Sequence, residues 1–198
     1  MSTKVSKLVY LTMLVVLLLT TAMPLSSVYA APSLSDKDPE TRKLIEKDKV
    51  IGPNGEVLIL ELYEQVTLTT QPKMSSNLSP LVVTSGCKVF TMTAQGKNIL
   101  GMVVYEYNQS IDWCYDGTKI TYVSRRDWPD RTAGGWVWKG RIQGPTTSGG
   151  VGSSSYTSYV QGYFCFVEAF SCIYNKYPWF DMKVNGDGTQ SGSGSSGI

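Results

Sequence analysis

Ile111-Asp112-Trp113-Cys114-Tyr115-Asp116-Gly117-Thr118-Lys119-Ile120-Thr121-Tyr122 is the stretch that decides the fold class. An Asp-Gly pair between two β-rich runs suits a two-residue type I′ hairpin, because both central positions need positive φ. That turn sets Tyr115 opposite Thr118, Cys114 opposite Lys119, Trp113 opposite Ile120, Asp112 opposite Thr121 and Ile111 opposite Tyr122. Strand side chains alternate between faces, so Ile111, Trp113, Tyr115, Ile120 and Tyr122 gather on one side. Asp112, Cys114, Lys119 and Thr121 gather on the other. The first set is a core face, and Cys114 is expected to point away from it.

Strand patterns continue on both sides of this hairpin. Expected strands lie near 87–94, 99–108, 110–115, 118–125, 135–142, 156–168 and 178–185, separated by turn signals. Short strands at this spacing predict an all-β, sandwich-like antiparallel domain over 81–186. From Tyr159 to Val167, Val160, Phe164 and Phe166 share one face, while Tyr159, Gln161, Tyr163 and Cys165 share the other. Gly144 to Ser155 reads as a mobile Gly/Ser loop. The tail 187–198 has nothing with which to build a core and is expected to be disordered.

Residues 31–80 are expected to hold a short helix, a strand and a linker. Asp38 can cap the helix, Pro39 fits its first turn, and Leu44 and Ile45 give only a narrow apolar stripe. Gly52-Pro53-Asn54-Gly55 ends it, Val57 to Thr69 is a strand candidate, and 70–80 has linker composition. Whether 31–80 is a pro-segment or part of the domain is left open by the sequence.

Residues 1–30 read as an export signal. Lys4 and Lys7 precede the apolar run Leu8 to Leu19, and Val28-Tyr29-Ala30 resembles a signal-peptidase site, so cleavage is expected after Ala30. The run is about a dozen residues long, short of the roughly 20 that span a bilayer, so no transmembrane anchor remains after cleavage. The destination is secreted or extracellular.

Removing Lys4 and Lys7 from the 18 basic residues leaves 16, against 16 acids. A formally neutral mature chain has no general attraction for nucleic acid or anionic lipid. Cys87, Cys114, Cys165 and Cys172 in an oxidising compartment are first read as two disulfides. The short loop between Cys165 and Cys172 suits a bridge near a hairpin end, and 87–114 follows by elimination. There is no histidine and no CxxC pair, so a zinc site is disfavoured and histidine-based nucleophile systems are excluded. No cofactor motif is present: Gly149-Gly150-Val151-Gly152 is followed by no helix pattern, and Asn185-Gly186-Asp187-Gly188 lacks the remaining ligands of a calcium loop.

The segment Arg125 to Arg141 interleaves tryptophan with arginine and lysine, a combination suited to a sugar acid, a polysaccharide or single-stranded nucleic acid. Trp136 and Trp138 lie two apart on one strand face and read as core. Trp128, followed by Pro129 and flanked by Arg125, Arg126 and Arg131, escapes that alternation and is the expected exposed anchor. Tyr105, Tyr107, Tyr159 and Tyr163 at alternating positions complete the expected binding surface for an extracellular glycan or protein. The leading expectation is therefore a non-catalytic extracellular binding or interaction module. The alternatives are an enzyme using carboxylates such as Asp112, Asp116, Asp127, Asp130, Glu106 or Glu168 on a polysaccharide, and a structural envelope protein.

Overall fold

The computed structural model describes residues 42–52, 55–69 and 85–197. The expected export signal, the linker 70–80 and the part of the expected helix before residue 42 lie outside these.

The described residues are all β. β1 (Lys43–Ile51), β2 (Val57–Thr69), β3 (Gly86–Asn98), β4 (Val103–Tyr115) and β5 (Ile120–Thr132) form sheet A in that spatial order. Sheet B contains β6 (Trp136–Gly149), β7 (Ser155–Glu168), β8 (Ser171–Lys176), β9 (Trp179–Asn185) and β10 (Gln190–Ser195). Its order is β10-β9-β7-β6, with β8 also paired to β7, and every pairing in both sheets is antiparallel.

The inner faces follow from alternation. Leu58, Leu60 and Leu62 of β2, and Phe90, Met92 and Ala94 of β3, are buried every second residue, as are Phe180, Met182 and Val184 of β9. Tyr105 and Tyr107 of β4 cross to the other sheet. The Tyr105 ring centroid lies 4.9 Å from both Trp136 and Phe164, and that of Tyr107 lies 5.5 Å from Phe180. Burying a side chain of this kind is worth about 1.5–3 kcal/mol, and the hydroxyl must find a partner. Tyr105 Oη donates to the Ser196 carbonyl at 2.6 Å, and burial pushes its phenol well above the ordinary range.

The hairpin that opens the reading exists, with a different register. Asp116 Oδ1 accepts from the backbone N–H of Thr118 at 2.9 Å and of Lys119 at 2.8 Å. This Asx-type turn widens the connection, so Tyr115 faces Ile120. A bulge at Thr121 then puts Cys114 opposite Tyr122 and Trp113 opposite Val123. Ile111, Trp113 and Ile120 keep the core face, but Tyr122 is turned out to solvent and Val123 takes its place.

Four other expectations are corrected. Residues 43–51 form β1 instead of a helix, because the exposed edge of β2 supplies a complete backbone partner that a marginal helix cannot match. Within the expected loop 144–155, residues 146–149 pair with 156–159 as part of β6 instead of looping freely. The tail pairs as β10 with β9, since Gly192 and Gly194 lie against core rings. A Cβ at Gly192 would stand 2.4 Å from Met92 Sδ, so the absence of a side chain is what lets the strand close over the core. β5 continues through Trp128 and Pro129, past the expected strand end near residue 125; it is an edge strand, where a missing N–H is tolerated.

Both expected disulfides are present. Cys87–Cys114 joins directly opposed residues of β3 and β4, and Cys165–Cys172 joins β7 to β8. β2 is hydrogen-bonded to β3 along its length, so sheet A runs across the expected boundary at residue 80.

Candidate functional site

The residues expected to form one binding surface are distributed over four places. Tyr105 and Tyr107 have no exposed surface and belong to the core, because their face of β4 meets sheet B. Trp128, Arg126 and Arg131 lie on β5, at the edge of sheet A. Trp128 is half-buried with the Arg126 guanidinium 5.1 Å above its ring, and it is opposite Asn108. Tyr159 and Tyr163 stand on the outer face of sheet B.

Arg125 points the other way from Arg126 and enters the seam between the sheets. Its Nε donates to Ser158 Oγ at 3.0 Å, and its guanidinium pairs with Asp127. Asp127 also accepts from Tyr107 Oη at 2.7 Å and from Arg141 Nε of β6. Its side chain is 1% exposed. Burial alone would raise this carboxyl, but the hydrogen bonds from Tyr107 and Arg141 and the charges of Arg125 and Arg141 outweigh it, and the net shift is downward. Burial, followed by the bond to Asp127, pushes the Tyr107 phenol far up. This group therefore ties the two sheets together, with the single Asp127 carboxylate shared between two guanidiniums, of which that of Arg141 is open to solvent.

A second polar row crosses the outer face of sheet A. Lys47, Glu61, Gln95, Glu106 and Arg131 are successive partners across the five strands. Glu106 accepts from Gln95 Nε2 and, at 3.1 Å, from Asn108 Nδ2. Burial works to raise the Glu61 carboxyl, but bonds from Lys97, Tyr63 and Lys47 bring it down to about 2.

The remaining surface is open. Along β7, Ser158, Val160 and Phe164 turn inward, which leaves Thr157, Tyr159, Gln161 and Tyr163 outward. Along β9, Phe180, Met182 and Val184 turn inward, which leaves Trp179, Asp181 and Lys183 outward. Tyr159 stacks on Trp179 at 6.1 Å, and Tyr163 stacks on Tyr177 at 5.2 Å, with interplanar angles of 29° and 25°. Gln161 lies between the pairs, and Tyr163 Oη donates to Asn175 Oδ1 at 3.1 Å. A shallow depression beside Tyr159 is lined by Thr157, Asp181, Lys183, Ser191 and Ser193. No family model, curated protein or solved structure matches the chain.

Tyr159 to Tyr163 spans roughly 13 Å at the strand rise of about 3.3 Å per residue, so the row is longer than one ring-shaped ligand. It offers flat apolar faces, an amide, a carboxylate and an ammonium, all half-buried or exposed. Tyr159 and Tyr163 were expected at the surface; Trp179 and Tyr177 were not singled out. Trp179 was legible, since it shares the parity of Asp181 and Lys183 against the apolar parity of Phe180, Met182 and Val184. Among the described residues no cluster of His, Cys, Asp and Glu is arranged to hold a metal.

Proposed function

We propose that this is an exported, non-catalytic carbohydrate-binding module whose site is the aromatic row on the outer face of sheet B. The observation that carries the reading is the pair of stacked aromatic contacts, Tyr159 of β7 with Trp179 of β9 and Tyr163 of β7 with Tyr177 just before β9, all four rings half-buried. Aromatic rings give sugar C–H faces an apolar surface, while Gln161, Asp181 and Lys183 offer hydroxyl partners around it. The stacked partners stiffen one another, which lowers the ordering cost of binding. Export is supported by the N-terminal charged-then-apolar pattern and by the two disulfides, which fit an oxidising compartment.

Retention on immobilised polysaccharides and on a glycan array tests the reading. The chain is expected to be retained by a defined set of glycans, with Trp179→Ala weakening retention about tenfold or more. Absence of any glycan retention, or retention unchanged by both Trp179→Ala and Tyr163→Ala, contradicts it.

A further inference from the structure

Asp127 serves two guanidiniums and leaves one of them facing outward. Arg125 is spent: its Nε donates to Ser158 Oγ, a terminal nitrogen pairs with Asp127, and its side chain is 12% exposed. Arg141 meets the same carboxylate through Nε, lies beside the Tyr107 hydroxyl, and is 46% exposed. Neither arginine pairs with another acid among the described residues, so the group carries one positive charge in excess. A guanidinium holds its N–H donors in one rigid plane, so anchoring Nε fixes the direction of the terminal nitrogens. That arrangement suits an incoming carboxylate. Lys47 shares Glu61 with Lys97 in a comparable way, but its charge sits on the one nitrogen that already bonds the carboxylate.

Arg141 also stands beside the aromatic row. It is opposite Gly162, between Gln161 and Tyr163, on β6, the edge strand next to β7. Gly140, opposite Tyr163, has no side chain, and a Cβ built there would meet nothing within 4 Å. No side chain directly opposite Tyr163 therefore walls its ring off from the sheet edge. The charged residues of β6 are Lys139 and Arg141, both exposed, and the strand contains no acid.

We propose that Arg141 recognises the carboxylate of a sugar acid, with Asp127 as the positioning residue behind it, so that the glycan of the aromatic row is an acidic one. The inference rests on the carbohydrate reading above and narrows it to glycans that carry uronic acids. Tyr163 offers the ring face for the sugar, and β6 offers the cations for its carboxylates. Asp127, 1% exposed, touches no ligand and acts only through the arginine it holds.

Retention of the full chain on immobilised oligogalacturonate and oligomannuronate, each compared with its methyl ester, tests it. At least one free acid is expected to hold the wild-type chain about tenfold more tightly than its ester, with the difference shrinking as salt is raised. Arg141→Gln should remove that difference and leave retention on the ester unchanged. Arg126→Gln, an exposed arginine on the other sheet, should behave as wild type. Equal retention of acid and ester in both series overturns the proposal. So does an Arg141→Gln loss of the same size on acid and ester, which would make the residue structural only. Acid-selective retention that Arg126→Gln abolishes and Arg141→Gln spares overturns it as well. Ester retention that still depends on Trp179 would keep the carbohydrate reading alive through any of these failures, whereas retention of neither ligand sinks both.

Discussion

Tyr159 and Trp179 stack diagonally across the β7–β9 pair, 6.1 Å between ring centroids, while Tyr159 is directly opposite Asp181 and Trp179 directly opposite Gln161. The contact therefore places two ring faces and two polar side chains on one patch of strand surface. Neither ring is needed for the core. Tyr159→Ala should lower stability by only about 0.5–1.5 kcal/mol, the worth of an aromatic pair, while clearly weakening glycan retention. Thermal denaturation run beside the retention assay separates the two effects.

Trp128 and Trp136 should respond differently. Trp136 is buried against Tyr105, Phe166 and Tyr174, and Trp136→Ala should cost about 3–5 kcal/mol. Trp128 is half-buried beneath Arg126, and its truncation should cost far less, with about 0.5–1 kcal/mol from the lost cation–π contact. Because Trp128 is on sheet A, Trp128→Ala should leave glycan retention by sheet B intact. Urea unfolding of both variants provides the comparison.

Asp127 makes stability fall in acid. Its folded-state carboxyl titrates below the unfolded one, so the ionised group contributes stability above the unfolded value of about 3.9. That contribution is lost as pH falls through the lower folded-state value. Asp127→Asn should flatten this acid slope and cost about 3 kcal/mol near neutrality, since Arg125 and Arg141 lose their buried partner. Some slope should persist toward pH 2, where Glu61 titrates. Denaturant midpoints measured across the acid range give both quantities.

Gly192 should tolerate no side chain. An added Cβ would meet Met92 Sδ at 2.4 Å and Phe90 Cζ at 2.9 Å, both fixed in the core. Gly192→Val should cost about 1–3 kcal/mol or release β10, read as a lowered melting temperature and faster amide exchange over 190–195.

The fold class was legible because alternation is local: Phe180, Met182 and Val184 against Asp181 and Lys183, or Tyr159 and Tyr163 against Val160 and Phe164. What the sequence hid depended on distant partners. Leu44 and Ile45 give a weak helical stripe, and only the free edge of β2 makes the same residues a strand. Pro129 reads as a loop signal until β5 is known to be an edge strand. The glycines of β10 look like disorder until Phe90 and Met92 are seen beneath them. The hairpin register slipped because the Asp116 side chain spans the turn, an outcome that Asp-Gly shares with the tighter type I′ form. For the site, alternation was enough to expose Tyr159 and Tyr163, whereas Tyr105 and Tyr107 carry the same alternation on a face that the second sheet covers.

The central claim is that the outer face of sheet B is the carbohydrate site, and amide hydrogen exchange with and without a retained oligosaccharide tests it most directly. Protection confined to 157–163 and 177–183 is the predicted result. Protection centred on 124–131 of sheet A, or no protection in either segment at saturating oligosaccharide, would contradict it.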